Sequence, residues 1–180
     1  MSYRLPEVRL PLWLGAALCS LAVLNAARAV ADNAAAVPMW QNVTSNIGGN
    51  EWGYAGTMCV TVAPGKDEVI VGVSAKGLWS TVDRGKTWVH LGDKDKVQIN
   101  NRPYQIVFDP KDANTFWESG SYGAGVFKTT DGGNSFQQLG SIGHVDGLAI
   151  DLDDPARKTL LTGPHEQGRS LTMSLDGGAT

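Results

Sequence analysis

Thr81-Val82-Asp83-Arg84-Gly85-Lys86-Thr87-Trp88 recurs as Thr129-Thr130-Asp131-Gly132-Gly133-Asn134-Ser135-Phe136, and again as Ser174-Leu175-Asp176-Gly177-Gly178-Ala179-Thr180 at the end of the chain. Each copy has a hydroxyl residue, an Asp two places on, a Gly two after that and a second hydroxyl residue, with an aromatic next in the first two. The aspartates stand at 83, 131 and 176, so the steps are 131 − 83 = 48 and 176 − 131 = 45. A repeat of this length is the mark of a propeller or solenoid. In each copy the Asp carboxylate can fold back onto the N–H groups of its own loop. The Gly (Gly85, Gly133, Gly178) supplies a positive φ that other residues adopt at a cost. Trp88 and Phe136 then lead the following strand, where an aromatic suits a half-buried pleated face. These residues read as structure and not as chemistry.

The pattern resembles the Asp-box, the bacterial neuraminidase repeat. That resemblance implies an all-β fold: a β-propeller of four-stranded antiparallel blades with Asp-box hairpins, about two and a half blades being present. The strand pattern independently agrees. Short Val- and Ile-rich runs alternate with turn residues such as Pro64-Gly65 and Asp109-Pro110, and no helical period follows residue 31. The expected blades are 57–92, 103–140 and an incomplete 145–180. An outer strand at 39–43 precedes them, because Trp40, Trp88 and Phe136 are 48 apart. Closed propellers usually have about four to eight blades, so a propeller fragment is expected, 32–180 being its partial domain.

Residues 1–31 read as a cleavable export signal. Arg4 and Arg9 precede a charge-free run, Leu10 to Leu24, followed by small residues that allow cleavage after Ala29 or Ala31. The expected location is periplasmic or extracellular, with no stable membrane span after cleavage. The formal charge of the chain is −3, and removing Arg4, Arg9, Arg28 and Glu7 takes away +2, leaving −5. Such a domain is not built for nucleic acid. Cys19 leaves with the signal, so Cys59 has no disulfide partner and reads as a buried structural thiol. The histidines lack metal-ligand spacing, and no metal or cofactor is expected.

Strand direction alternates within a blade, so the Asp-box hairpins emerge at one end and the second-to-third loops and inter-blade links at the other. That other face carries the candidate chemistry. Trp52, Tyr54 and Tyr122 can offer rings to the apolar faces of sugars, or can pack on one another over the blade ends. His144, His165 and Arg169 lie beside them and can meet hydroxyls. Asp146 and Glu166 can form a carboxylate pair of the kind used in glycoside hydrolysis, or can be ordinary solvated loop residues. Asp151, Asp153 and Asp154 read as a turn.

Among catalytic families with Asp-boxes, sialidases use an arginine triad that Arg84, Arg102, Arg157 and Arg169 do not reproduce. The start of the chain is similar to xyloglucanase-type hydrolases, with a Trp-x-Asn-Val strand (Trp40 to Val43) and then Ile47-Gly48-Gly49. Matching Gly77-Leu78-Trp79 to that family's Gly-Gly-aromatic stretch puts Ser74 at the position of its catalytic Asp. A serine cannot serve there as a carboxylate base. Two functions follow from these resemblances: a glycan-binding or glycoside-hydrolase-like protein directed at polysaccharide, or a non-catalytic scaffold for a protein partner, similar to sortilin-type receptors and photosystem assembly factors.

Overall fold

Backbone polar groups must be paired, and short β-branched runs separated by tight turns pair most simply with their chain neighbours. The computed structural model, which describes residues 39–47, 52–93 and 98–180, follows that rule throughout. The expected signal at 1–31 lies outside the described residues. The chain divides into two units, residues 1–41, of which only Met39–Gln41 are described, and residues 42–180. Met39–Val43 is not in a strand, and Trp40 is fully exposed.

The described chain is all-β. Blade one contains β1 (Thr57–Val62), β2 (Val69–Val73), β3 (Gly77–Thr81) and β4 (Val89–His90). Blade two contains β5 (Arg102–Asp109), β6 (Asp112–Ser121), β7 (Val126–Thr129) and β8 (Gln137–Gln138). Blade three contains β9 (Val145–Ile150), β10 (Leu160–Pro164) and β11 (Thr172–Ser174). Every pairing is antiparallel between consecutive strands, giving two sheets of four and one of three. This is the up-and-down blade of a β-propeller. The outer strands β4 and β8 are only two residues long, and Trp88 and Phe136 stand just ahead of them in the turn.

Alternation along β2, β3, β6 and β7 gives each blade two apolar faces. Ile70 and Leu78 of blade one meet Phe116, Phe127 and Phe136 of blade two. Trp117 and Val126, on the opposite face of blade two, meet Val145, Leu148 and Leu160 of blade three. Val71 and Val73, on the other face of blade one, are covered by Ile47 and Trp52. Fully burying one such side chain contributes about 1.5–3 kcal/mol.

The repeated hairpins are nearly superimposable in their bonding. In the first, Thr81 Oγ accepts the Gly85 N–H at 3.0 Å and donates to Asp83 at 2.8 Å, while the Thr87 N–H and hydroxyl donate to the same carboxylate at 2.9 and 2.7 Å. Thr129, Asp131, Gly133 and Ser135 repeat this set, as do Ser174, Asp176, Gly178 and Thr180. The Gly also spaces the blades. A Cβ on Gly85 would lie 2.6 Å from Val43, on Gly133 2.9 Å from Leu91, and on Gly178 2.9 Å from Leu139. Each hairpin therefore presses its backbone against a residue at the end of the segment before it.

Candidate functional site

The face opposite the hairpins is built from the β2–β3 turn, the β6–β7 loop, the β8–β9 link and the β10–β11 loop. Its centre is Tyr122, which begins the β6–β7 loop with φ +57. That left-handed turn lifts the side chain out of the strand direction. The Tyr122 N–H donates to His144 Nδ1 at 3.2 Å, which leaves the ring proton of His144 on Nε2. The phenol is 3.1 Å from His165 Nε2, and His165 Nδ1 lies 2.7 Å from Asp146 Oδ1. Asp146, His165 and Tyr122 thus form a continuous carboxylate–imidazole–phenol chain. Asp146 fixes the proton of His165 on Nδ1, so in the neutral ring Nε2 accepts from the phenol; in the cation it donates to the phenol oxygen.

Arg102 opens the inner strand β5 and completes the cluster. Its guanidinium carbon is 4.0 Å from the Tyr122 ring centroid and 5.4 Å from that of Tyr54. A cation over an aromatic face is worth about 0.5–1 kcal/mol at exposed sites. Tyr104 follows at the bulge where the register of β5 with β6 shifts between Pro103 and Gln105, its ring 6.4 Å from His165. His144 and His165 meet the Tyr122 ring edge-on at 5.5 and 5.0 Å. The result is a patch of rings with a fixed cation, a half-exposed carboxylate and imidazole nitrogens at its rim. It can stack on a flat apolar surface and exchange hydrogen bonds with hydroxyl groups.

Tyr54, Tyr122, His144, His165 and Asp146 come together as neighbours from two blades and the loop before the first. Asp146 is not in a loop: it is the second residue of β9, at the point where the register with β10 shifts between Val145 and Gly147. Glu166 approaches the same imidazole from the other nitrogen, at 3.7 Å from His165 Nε2, with φ +54 and an exposed side chain. The imidazole of His165 therefore stands between the two carboxylates. Arg169 is exposed and makes no hydrogen bond or ion pair among the described residues. Trp52 does not join the ring patch; it packs on the Ile47, Val71 and Val73 cluster. Ser74 is buried beneath the preceding loop, its N–H and C=O bonded to Gly56 and Gly53. The Asp151 side chain takes the N–H groups of Asp153 and Asp154, which is a turn.

Arg102 and Tyr104 carry the site but had no signal of their own in the sequence. The bulge of β5 between Pro103 and Gln105 breaks the alternation from which the face of Tyr104 could have been read.

Beneath the patch lies a second polar feature. Glu118 of β6 is fully buried and accepts from Asn101 Nδ2 at 3.2 Å. Its Oε1, Asn101 Oδ1 and the Ser119 and Ser121 hydroxyls have no hydrogen-bond partner among the described residues. Burial pushes the Glu118 carboxyl up to about 8, against the Asn101 hydrogen bond. Burial, with a smaller contribution from Glu118, also pushes the nearby Cys59 thiol up to about 11, which makes it an inert structural thiol.

No family profile matches the chain. Over 95 residues it is 28% identical to a probable oligoxyloglucan-reducing end-specific xyloglucanase of Neosartorya fischeri, covering 52% of this chain and 12% of that protein. An ancestral GH74 enzyme of known structure is 17% identical and superposes on 81% of this chain with a TM-score of 0.51. The GH74 xyloglucanase of Xanthomonas campestris is 18% identical over 68% of this chain, also with a TM-score of 0.51. The chain spans 19% and 20% of those two structures. The structural likeness is one of fold.

Proposed function

We propose that the chain belongs to an exported protein that binds polysaccharide on the loop face opposite the repeated hairpins, with glycans of the xyloglucan type as the first class to test. The observation that carries this reading is the Tyr122 ring, held under Arg102 and tied to His165 and Asp146. A ring fixed from both sides loses little freedom when it stacks on a sugar, and its polar neighbours are placed to meet equatorial hydroxyls. The xyloglucanase relative and the GH74 folds support the choice of glycan. Binding is favoured over hydrolysis, because His165 engages both Asp146 and Glu166 and Ser74 is enclosed. Asp146 and Glu166 then act as hydrogen-bonding groups at the rim.

Calorimetric titration of the full chain with xyloglucan oligosaccharides tests this. Tyr122→Ala is expected to weaken binding at least tenfold, about 1.4 kcal/mol, with the melting temperature little changed. No binding to any member of a polysaccharide panel would sink the reading. Release of reducing ends that is abolished by Asp146→Asn would replace binding with hydrolysis.

A further inference from the structure

Stacking on a sugar needs only the face of the Tyr122 ring, yet its hydroxyl is built into a path for a proton. The phenol lies 3.1 Å from His165 Nε2, and His165 Nδ1 lies 2.7 Å from Asp146 Oδ1. With Asp146 holding the ring proton on Nδ1, neutral His165 presents an unprotonated Nε2 beside an O–H. A base and an acid thus stand side by side on the loop face, the phenol on a half-exposed side chain. Arg102 adds a cation, its guanidinium carbon 4.0 Å from the Tyr122 ring centroid. It makes no hydrogen bond or ion pair among the described residues, so its N–H groups remain for a ligand. Tyr122, His144 and Glu166 belong to three separate loops, and all have positive φ, at 57, 52 and 54. Such backbone is uncommon outside glycine and gathers where side chains are placed for chemistry.

We propose that this cluster cleaves 4-linked uronate glycans by β-elimination, an activity that rests on glycan binding at this face. The C5 proton of a uronate is adjacent to the carboxylate, whose charge opposes its removal. A guanidinium paired with that carboxylate offsets the charge as it builds up. His165 Nε2 takes the C5 proton, and the electron pair of the C5–H bond becomes the second bond of C4=C5. The C4–O4 bond breaks, and the leaving oxygen takes the proton of the Tyr122 phenol. The imidazolium, stabilised by Asp146, then returns its proton to the phenolate, so both groups are restored. One fragment ends in an unsaturated uronate and the other in a new reducing end, with no water or other co-reactant consumed. Asp146 is a positioning residue, as is His144, which accepts the Tyr122 N–H at 3.2 Å. A neutral glycan has no carboxylate at C5 and is bound without being cleaved.

The geometry also selects among uronates. Because Nε2 and the phenol oxygen are 3.1 Å apart, they reach a sugar from one side. The proton at C5 and the oxygen at C4 must then lie on the same face of the ring, which makes the elimination syn. Glucuronate and mannuronate have that arrangement. Galacturonate, inverted at C4, and guluronate, inverted at C5 relative to mannuronate, place the two groups on opposite faces.

Incubating the full chain with polymannuronate or glucuronan is expected to produce the ultraviolet absorbance of an unsaturated uronate. Mass spectrometry should find oligosaccharides one water lighter than hydrolysis products, a distinction needed because both reactions free a reducing end. Polyguluronate and polygalacturonate should give neither signal. Tyr122→Phe keeps the ring under Arg102 but has no proton to give; it should lower kcat about a hundredfold or more, while calorimetric binding of polymannuronate is retained. Four results each overturn elimination and leave glycan binding standing: polymannuronate bound but not cleaved, products of hydrolytic mass, cleavage favouring the guluronate or galacturonate polymer, or full turnover by Tyr122→Phe. Failure to bind any glycan, neutral or acidic, removes both.

Discussion

Glu118 occupies the register position that Val71 fills in blade one and Thr162 in blade three. A carboxyl there is neutral at physiological pH because burial penalises its charge. The sign for stability follows from the raised pKa. The unfolded chain ionises this group near about 4.3, while the folded chain keeps its proton up to about 8. Folding is therefore unpenalised below the lower value and loses stability as pH rises between the two. Glu118→Gln keeps the shape and removes the titration. The melting temperature of the variant is expected to be flatter than wild type from pH 5 to 8 and higher at pH 8; identical profiles would refute a buried neutral acid.

Asp83 works in the opposite direction. The Thr87 N–H, followed by the Thr87 hydroxyl, holds its carboxyl down to about 2. The hydrogen bonds of Ser135 lower Asp131 against an opposing burial effect, and those of Thr180 and Ser174 lower Asp176. Their stabilisation is present above the ordinary carboxylate range and is lost as pH falls from about 4 through the folded values. Asp83→Asn should shift the acid-unfolding midpoint to higher pH, read by fluorescence. Of these single residues, the sequence marked the aspartates by repetition. Glu118 was hidden because one carboxyl in an otherwise apolar strand looks like any solvent-facing residue until its face is known.

At the scale of the element, the hairpin glycines differ in what they do. Gly133 has φ +88 and a virtual Cβ 2.9 Å from Leu91, so a side chain there meets both strain and a neighbouring blade. Gly132 has φ +72, but its virtual Cβ lies 3.5 Å from only the side-chain ends of Asn114 and Lys66. Gly133→Ala is expected to cost about 1–3 kcal/mol in urea unfolding, and Gly132→Asn less than about 1 kcal/mol, since Asn tolerates the left-handed region. Equal losses would show that the blade contact contributes nothing. The hairpins and most strands were legible from turn residues and period-two patterning. The two-residue outer strands were not, because Trp88 and Phe136 have strand-like preference but are held in the turn by their blade faces.

At the scale of the whole molecule, blades two and three are joined by an ion pair between residues 48 apart. Arg157 Nε and Nη2 donate to the two Asp109 oxygens at 2.9 Å each, with both side chains largely buried, and Nη1 donates to the Asp154 carbonyl. Removing one partner strands the other charge. Arg157→Met is expected to cost about 3 kcal/mol in chemical denaturation, while an Asp109→Leu, Arg157→Met double variant should recover much of that. A double variant as unstable as the single would show that the pair itself stabilises.

The repeat determined the β-propeller fold, the positions of the hairpins and the face on which to look for chemistry, because period and turn chemistry are local properties written in adjacent residues. Only the tertiary structure decided which side chains meet. Arg102, Tyr122, His165 and Asp146 come from separate strands and loops and converge through the angle between blades. Trp52 turned inward for the same reason: a neighbouring apolar face offered it more burial than the loop surface did. Blade packing is a contact between residues about 48 apart, and no local pattern specifies what lies across it.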